Sequence, residues 1–259
     1  MIVLRGNADS PPDGRTVQVL RNTRSFGEIA HGWKQASDFS PNKPVFAVAV
    51  AACALACAGS TGLAQRGTTI IAIEKMEIGT APTDFEFGRT GQGGLGQWVV
   101  VGDPTASGGR AIEQVSTEPT DNRFPLAIYG PLSAKNVEVV VRFKPVAGKV
   151  DQAGGIAVRL TGPDNYYVVR ANALEDNVSF YHVIQGQRTE LKSVNTKVSG
   201  NQWHTLGLKA EGERFTVTFD GKQLFTATDR TIAGPGRVAL WTKADSITRF
   251  DRIDVTPLP

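Results

Sequence analysis

Residues 154–184 read GGIAVRLTGPDNYYVVRANALEDNVSFYHVI and hold three successive apolar rows with a period of two. Ile156, Val158 and Leu160 alternate with Ala157 and Arg159. Tyr167, Val169 and Ala171 alternate with Tyr166, Val168, Arg170 and Asn172. Val178, Phe180, His182 and Ile184 alternate with Ser179, Tyr181 and Val183. Successive side chains of a strand point to opposite faces, so each row predicts a strand with one core-facing side. Gly162-Pro163-Asp164-Asn165 and Glu175-Asp176-Asn177 separate the rows. These are residue types that start tight turns or accept positive φ, so the strands are expected to run antiparallel.

The pattern continues outward. Upstream, Val137, Val139, Val141 and Phe143 alternate with Glu138, Val140, Arg142 and Lys144. Downstream come Leu206 and Leu208, then Phe215, Val217 and Phe219, then Val238 and Leu240, divided by Gly186, Gly212, Asp220-Gly221 and Gly234-Pro235-Gly236. Asp220-Gly221, set between Phe215–Phe219 and Lys222–Phe225, predicts a two-residue hairpin turn and makes Asp220 a turn residue rather than a catalyst. No amphipathic helix of useful length interrupts the series. Short strands with one apolar face need a second sheet or closure, which predicts an all-β, two-sheet antiparallel sandwich. Its span is read as 84–257, behind a linker at 65–83.

The chain has 259 residues, 41% hydrophobic and 20% charged, which excludes a disordered, collagenous or coiled-coil protein. With 28 Lys plus Arg against 25 Asp plus Glu, its formal charge of +3 excludes the basic footprint that grips nucleic acid. Val45 to Ala64 form a charge-free run, VFAVAVAACALACAGSTGLA, that reads as a signal peptide cleaved after Ala64. The alternative is an uncleaved signal anchor. Both cysteines, Cys53 and Cys57, lie inside the run, so a cleaved chain has no thiol for a disulfide or for catalysis. A lipoprotein reading would attach lipid at one of them. Residues 1–44 read as a polar leader or a misassigned start. The expected location is periplasmic or secreted, with the membrane reached only through an uncleaved anchor or lipidated Cys53 or Cys57.

Several segments occur in a telling order: Gly154-Gly155-Ile-Ala-Val-Arg159, Asp164-Asn165-Tyr166-Tyr167-Val-Val-Arg170-Ala-Asn172, Trp203-His204-Thr205-Leu206, Phe219-Asp220-Gly221-Lys222 and Leu240-Trp241-Thr242-Lys243-Ala244-Asp245. In this succession the chain resembles concanavalin A-like jelly-roll domains of bacterial exported proteins, in the laminin G-like and 3-keto-disaccharide hydrolase-like group. The resemblance covers about 84–255. It implies a lectin/glucanase architecture, a jelly roll of two curved sheets whose concave face handles glycans. Function in that group divides between glycan binding and glycoside cleavage, so the site has to decide.

Laminarinase-type hydrolases of this fold carry Glu-x-Asp-x-x-Glu, because retaining hydrolysis needs two carboxylates about 5 Å apart. That string is absent; Asp84-Phe-Glu86 and Glu211-Gly-Glu213 have two carboxylates each and read as solvated surface. The alternation instead places Arg142, Arg159, Tyr166, Arg170, Asn172, Tyr181, Trp241 and Lys243 on one polar face. Hydrogen-bonding side chains beside aromatic rings suit sugars, and four cations favour an anionic glycan. The bland alternative is an ion network with Glu138 and Glu175 that binds nothing, and a bulge near Gly236 would turn Trp241 into the core.

His182 and His204 have no second histidine or cysteine at ligand spacing, which argues against zinc. His182 shares the phase of Val178 and Phe180 and reads as a buried histidine. If the protein were a keto-glycoside enzyme, His182 or Glu175 would be the base, with Arg170 or Lys243 holding the enolate. Calcium, the one candidate cofactor, would draw on Asp245, Asp251 and Asp254. Gly91-Gln-Gly-Gly-Leu-Gly96 reads as a flexible turn. The expected function is non-catalytic glycan binding. The alternatives are a glycoside-active enzyme of the 3-keto-disaccharide hydrolase type and an envelope protein-interaction module.

Overall fold

The computed structural model describes residues 67–259, so the readings made on 1–44, on 45–64 and on Cys53 and Cys57 fall outside the described residues. Two antiparallel sheets make up the described part, and its one helical segment is the 3₁₀ turn Ile73–Lys75. The eight-stranded sheet runs in the order β13 (Lys222–Thr228), β12 (Arg214–Phe219), β11 (His204–Glu211), β6 (Val137–Ala147), β15 (Ile247–Pro257), β4 (Arg110–Gln114) and β3 (Trp98–Gly102). The short β1 (Thr69–Ile70) pairs with β15. The seven-stranded sheet runs β10 (Gln187–Asn195), β9 (Asn177–Ile184), β8 (Asn165–Asn172), β7 (Ala153–Gly162), β14 (Gly236–Trp241), β5 (Arg123–Ala134) and β2 (Phe85–Gly91).

The predicted apolar rows face each other across the sandwich. Val137, Val139, Val141 and Phe143 of β6, with Leu206, Leu208, Phe215, Val217 and Phe250, pack against Ile156, Val158, Tyr167, Val169, Ala171, Val178, Phe180, Val238 and Leu240. Burying such side chains, at about 25 cal/mol per Å² of apolar surface, is the main stabilising term. The hairpin predicted at Asp220-Gly221 forms, with φ of 47° and 76° at its two central residues.

Part of the segment expected to be a linker, 65–83, belongs to the sandwich. Its strand β1 joins β15, and Ile71, Ile73 and Met76 are buried in the same core. The reason is chemical: the segment carries enough apolar side chains to cover one end of the core.

The seven-stranded sheet is strongly curled. Tyr166 on β8 shares a hydrogen bond of 2.8 Å with Thr90 on β2, although three strands lie between them in the sheet. In a flat sheet those backbones would stand about 19 Å apart, at about 4.8 Å per strand step. The face turned away from the inter-sheet core is therefore the inside of a trough. A second apolar cluster fills it, made of Phe124, Leu126, Ile128, Ala153, Ala157, Leu160, Tyr166, Val168, Tyr181, Val183, Ala239 and Trp241.

Candidate functional site

The trough of the seven-stranded sheet has an aromatic floor. Phe124 and Trp241 stack with ring centroids 5.5 Å apart and planes at 15°. Trp241 Nε1–H donates to Tyr166 Oη at 3.3 Å, and Thr90 also donates to the Pro163 carbonyl. Burial pushes the Tyr166 hydroxyl up to about 12. Arg188 lies over this floor: its guanidinium carbon is 4.7 Å from the Phe124 centroid, 4.6 Å from that of Tyr181 and 6.0 Å from that of Trp241. Arg188 Nη1 is buried and has no hydrogen-bond partner.

At the rim beside Arg188 opens a cleft of about 470 Å³. Gly91 and Gln92 at the end of β2, Asn122 and Phe124 around the start of β5, Asp164 in the β7–β8 turn, and Gln185, Gly186, Gln187 and Arg188 of the β9–β10 hairpin line it. The hairpin sets Arg188. Gln185 and Gly186 both take positive φ, 50° and 75°, as a two-residue primed turn requires. Arg188 then pairs with Val183, which places it on the trough side with Val183 and Tyr181.

At the other end of the same face lies a network of paired charges. Arg170 Nη2 donates to Glu175 at 2.7 Å and to Tyr181 Oη at 3.1 Å, and Nη1 donates to Asn177. Lys243 Nζ sits 2.8 Å from Asp121 and 2.9 Å from Asp151, while Asn172 Nδ2 donates to Asp151 at 2.8 Å. Burial raises the Asp151 carboxyl despite Lys243. The exposed Asp121 is lowered by its bond to Lys243. Burial raises Glu175 too, but the charge and hydrogen bond of Arg170 outweigh it and the carboxyl titrates low.

Of the eight residues expected on one polar face, the structure brings six together here: Tyr166, Arg170, Asn172, Tyr181, Trp241 and Lys243. They do not form an open solvated surface. Tyr166, Arg170, Asn172, Tyr181 and Trp241 are all buried, because the curl turns their face inward. Trp241 is buried without changing faces, since Val238 and Leu240 remain in the inter-sheet core.

The other two lie elsewhere. Arg142 is on the eight-stranded sheet, bonded to Asp251 and stacked 4.6 Å from the Trp203 centroid. Arg159 turns inward at a bulge: its φ is 52° and the β7–β8 register slips between Val158 and Gly162. Its guanidinium donates to the carbonyls of Lys135, Ile232 and Gly212 and lies 5.1 Å from the Phe215 centroid. One extra residue in the strand reverses the alternation, so Leu160 rather than Arg159 points into the trough.

Of the two alternative bases, Glu175 meets its candidate enolate holder Arg170 in an ion pair at 2.7 Å, whereas His182 lies on the other face of the sheet. His182 pairs with Tyr167 across the sheet, on the core side, with Nδ1 3.5 Å from Asp229. Glu175 lies on the trough side beyond Asn177, and five residue steps along the strand separate Asn177 from His182, about 16 Å. The calcium candidates do not converge. Asp245 accepts backbone N–H groups of Lys149, Val150 and Asp151, Asp251 takes Arg142 and Ser107 N–H, and Asp254 pairs with Arg252. His204 bridges Asp220 and Ser199, stacked on Phe219.

Phe124 and Arg188 are central here and were not among the sequence candidates. Arg188 was within reach: a two-residue turn at Gln185-Gly186 carries the phase of Tyr181 and Val183 onto it. Phe124 is the second residue of a strand, RFPLAIYGPLSA, whose first seven residues are all buried, so no alternation marks it.

A family model described as galactocerebrosidase, C-terminal lectin domain, matches residues 133–258, from the end of β5 through β15. No curated protein matches the chain. Among solved structures, carbohydrate binding module CBM66 from Bacillus subtilis aligns with a TM-score of 0.51 at 18% identity, covering 66% of this chain and 94% of that one. A Bacillus licheniformis beta-glucanase aligns at 0.49 and 15% identity, covering 74% and 99%. Domain 4 of an extracellular arabinanase from Geobacillus stearothermophilus, solved with arabinotriose, aligns at 0.48 and 12% identity, covering 73% and 90%. With two antiparallel sheets packed as a sandwich and this likeness to the Bacillus subtilis module, the chain has the concanavalin A-like jelly-roll fold that its segments resemble.

Proposed function

We propose that the protein is an exported, non-catalytic glycan-binding domain that takes a neutral glycan in the cleft at the rim of the seven-stranded sheet. The observation that carries this reading is the cleft's composition: one aromatic ring, Phe124, beside the hydrogen-bonding side chains of Asn122, Asp164 and Gln187. A sugar offers hydroxyls that both donate and accept and a weakly apolar C–H face, and these side chains answer both. The volume of about 470 Å³ suits a small-molecule-sized guest. The lectin-domain match supports the same reading, since Asp164 and the Gln185–Arg188 hairpin fall inside its residues 133–258.

The anionic glycan suggested by four cations loses its support. Arg142, Arg170 and Lys243 are already paired with carboxylates, and Arg159 with carbonyls. Asp164 and Arg188, the charges that line the cleft, balance each other. The non-catalytic reading draws on the bonds that occupy Glu175, whose carboxylate takes Arg170 and Asn177, and on the ion pairs that hold Lys243. Export, to the periplasm or beyond, draws on the 45–64 segment.

Titration against a panel of neutral oligosaccharides tests the reading. The native protein should bind at least one of them, and Asp164→Ala combined with Asn122→Ala should weaken that binding about tenfold or more, the loss of two hydrogen-bonding side chains. Unchanged binding would remove the cleft from consideration. Consumption of a 3-keto-glycoside by the native protein would replace the binding reading with an enzymatic one.

A further inference from the structure

We propose that Arg188 is a displaceable cover over an aromatic subsite, on which a second ring of the bound glycan stacks once the guanidinium swings out. The inference rests on the cleft being a glycan site and adds where the chain of sugars continues. Its basis is the contrast between Arg188 and two other arginines of the seven-stranded sheet. Arg170 is tied by Glu175, Asn177 and Tyr181, and Arg123 by the carbonyls of Gly94, Leu95 and Ala244. Arg188 makes no ion pair or side-chain hydrogen bond with any described residue, and its Nη1 is buried with no acceptor. Contacts with ring faces, at 4.7 Å from the Phe124 centroid and 4.6 Å from that of Tyr181, hold it together with the charge of Asp121, which lies beyond ion-pair distance.

Such a cation is easily moved. On leaving, the guanidinium exposes all five N–H donors to water, including the two on Nη1 that are now buried without an acceptor, and this offsets the lost cation–π attraction. The rings beneath stay in place. Phe124 is stacked on the buried Trp241, and Tyr181 Oη is held by Arg170 Nη2 at 3.1 Å. The subsite is also continuous with the cleft, since Phe124 and Arg188 line both. A planar guanidinium on two ring faces occupies the place that the C–H face of a sugar would take.

Two measurements test this with neutral β-linked hexasaccharides of glucose and galactose as probes. In the native protein labelled with ¹⁵N-arginine, the Arg188 Nε–H resonance should sit in the ring-current field of Phe124 and Tyr181, and saturation with a bound hexasaccharide should move it out. Arg188→Ala should bind that hexasaccharide about two- to tenfold more tightly, the worth of one ring-stacking contact no longer contested. An Arg188 resonance that stays shielded at saturation overturns the proposal, as does weaker binding by Arg188→Ala, which would make Arg188 a direct donor to the sugar; both leave the glycan reading standing. If neither protein binds any hexasaccharide of the panel, the glycan reading falls first and the subsite with it.

Discussion

Asp245 shows at the scale of one residue why a carboxylate's work depends on what faces it. Backbone N–H groups of Lys149, Val150 and Asp151 donate to it at 2.7 to 3.0 Å. Burial would raise its carboxyl, but these donors outweigh it and hold the group below its ordinary value. A carboxylate surrounded by N–H groups anchors the 149–151 turn. Asp245→Asn replaces one acceptor oxygen by an NH₂ that meets donors, and should cost about 1–3 kcal/mol of stability. Urea denaturation should give the same loss in calcium and in chelator; a loss seen only with calcium present would restore Asp245 as a metal ligand. Asp220 is the counterexample in legibility. Its neighbour Gly221 and the flanking apolar rows marked it as a turn residue, and its carboxylate duly accepts Thr205 N–H at 2.8 Å.

Strands are the level at which the sequence was most readable, and also where it misled. Alternation located β6, β8, β9, β11 and β12 because a half-buried strand writes its period into its side chains. It could not show that the seven-stranded sheet curls, since curl depends on long-range closure such as the Tyr166–Thr90 bond. Hence residues assigned to an open face proved to be buried. Nor could it show the bulge at Arg159, which needs a close backbone approach by a different strand. A Cβ on Gly236 of β14 would lie 2.3 Å from the Arg159 carbonyl carbon and 2.6 Å from Leu160 N. Both are backbone atoms and cannot step aside cheaply. Gly236→Ala should therefore destabilise by about 1–3 kcal/mol, the usual range for overpacking. The same variant should raise hydrogen exchange in β7 and β14 ahead of β11 and β12; uniform exchange would mean that the bulge is not the strained point.

For the whole molecule, the titrating groups set an acid limb and an alkaline limb of stability. Asp103, Asp121, Glu175, Asp229 and Asp245 all have carboxyls lowered by folding. Their contribution is present above the unfolded carboxyl values near about 4 and is lost as pH falls through the folded ones. Asp151, raised by burial, works in the opposite sense, alone among the described carboxyls whose shift is resolved. On the alkaline side, Tyr166 and Tyr167 are pushed from 10.0 up to about 12, burial being the largest cause for each. A hydroxyl with a raised folded value stabilises below its unfolded value, and that stabilisation is lost as pH rises through the folded one. Stability should thus fall between about pH 10 and pH 12, with Tyr166 contributing about 2–3 kcal/mol of the loss. Tyr166→Phe separates the two roles of this hydroxyl. At neutral pH it should cost about 1–3 kcal/mol, because Trp241 Nε1–H loses its acceptor in the trough. Above about pH 10 the variant has no phenol to ionise, so its deficit against the native protein should shrink toward about pH 12. Thermal melts across that range measure the difference directly, and a deficit that stays constant would mean that the Tyr166 phenol ionises as readily in the folded chain as in the unfolded one.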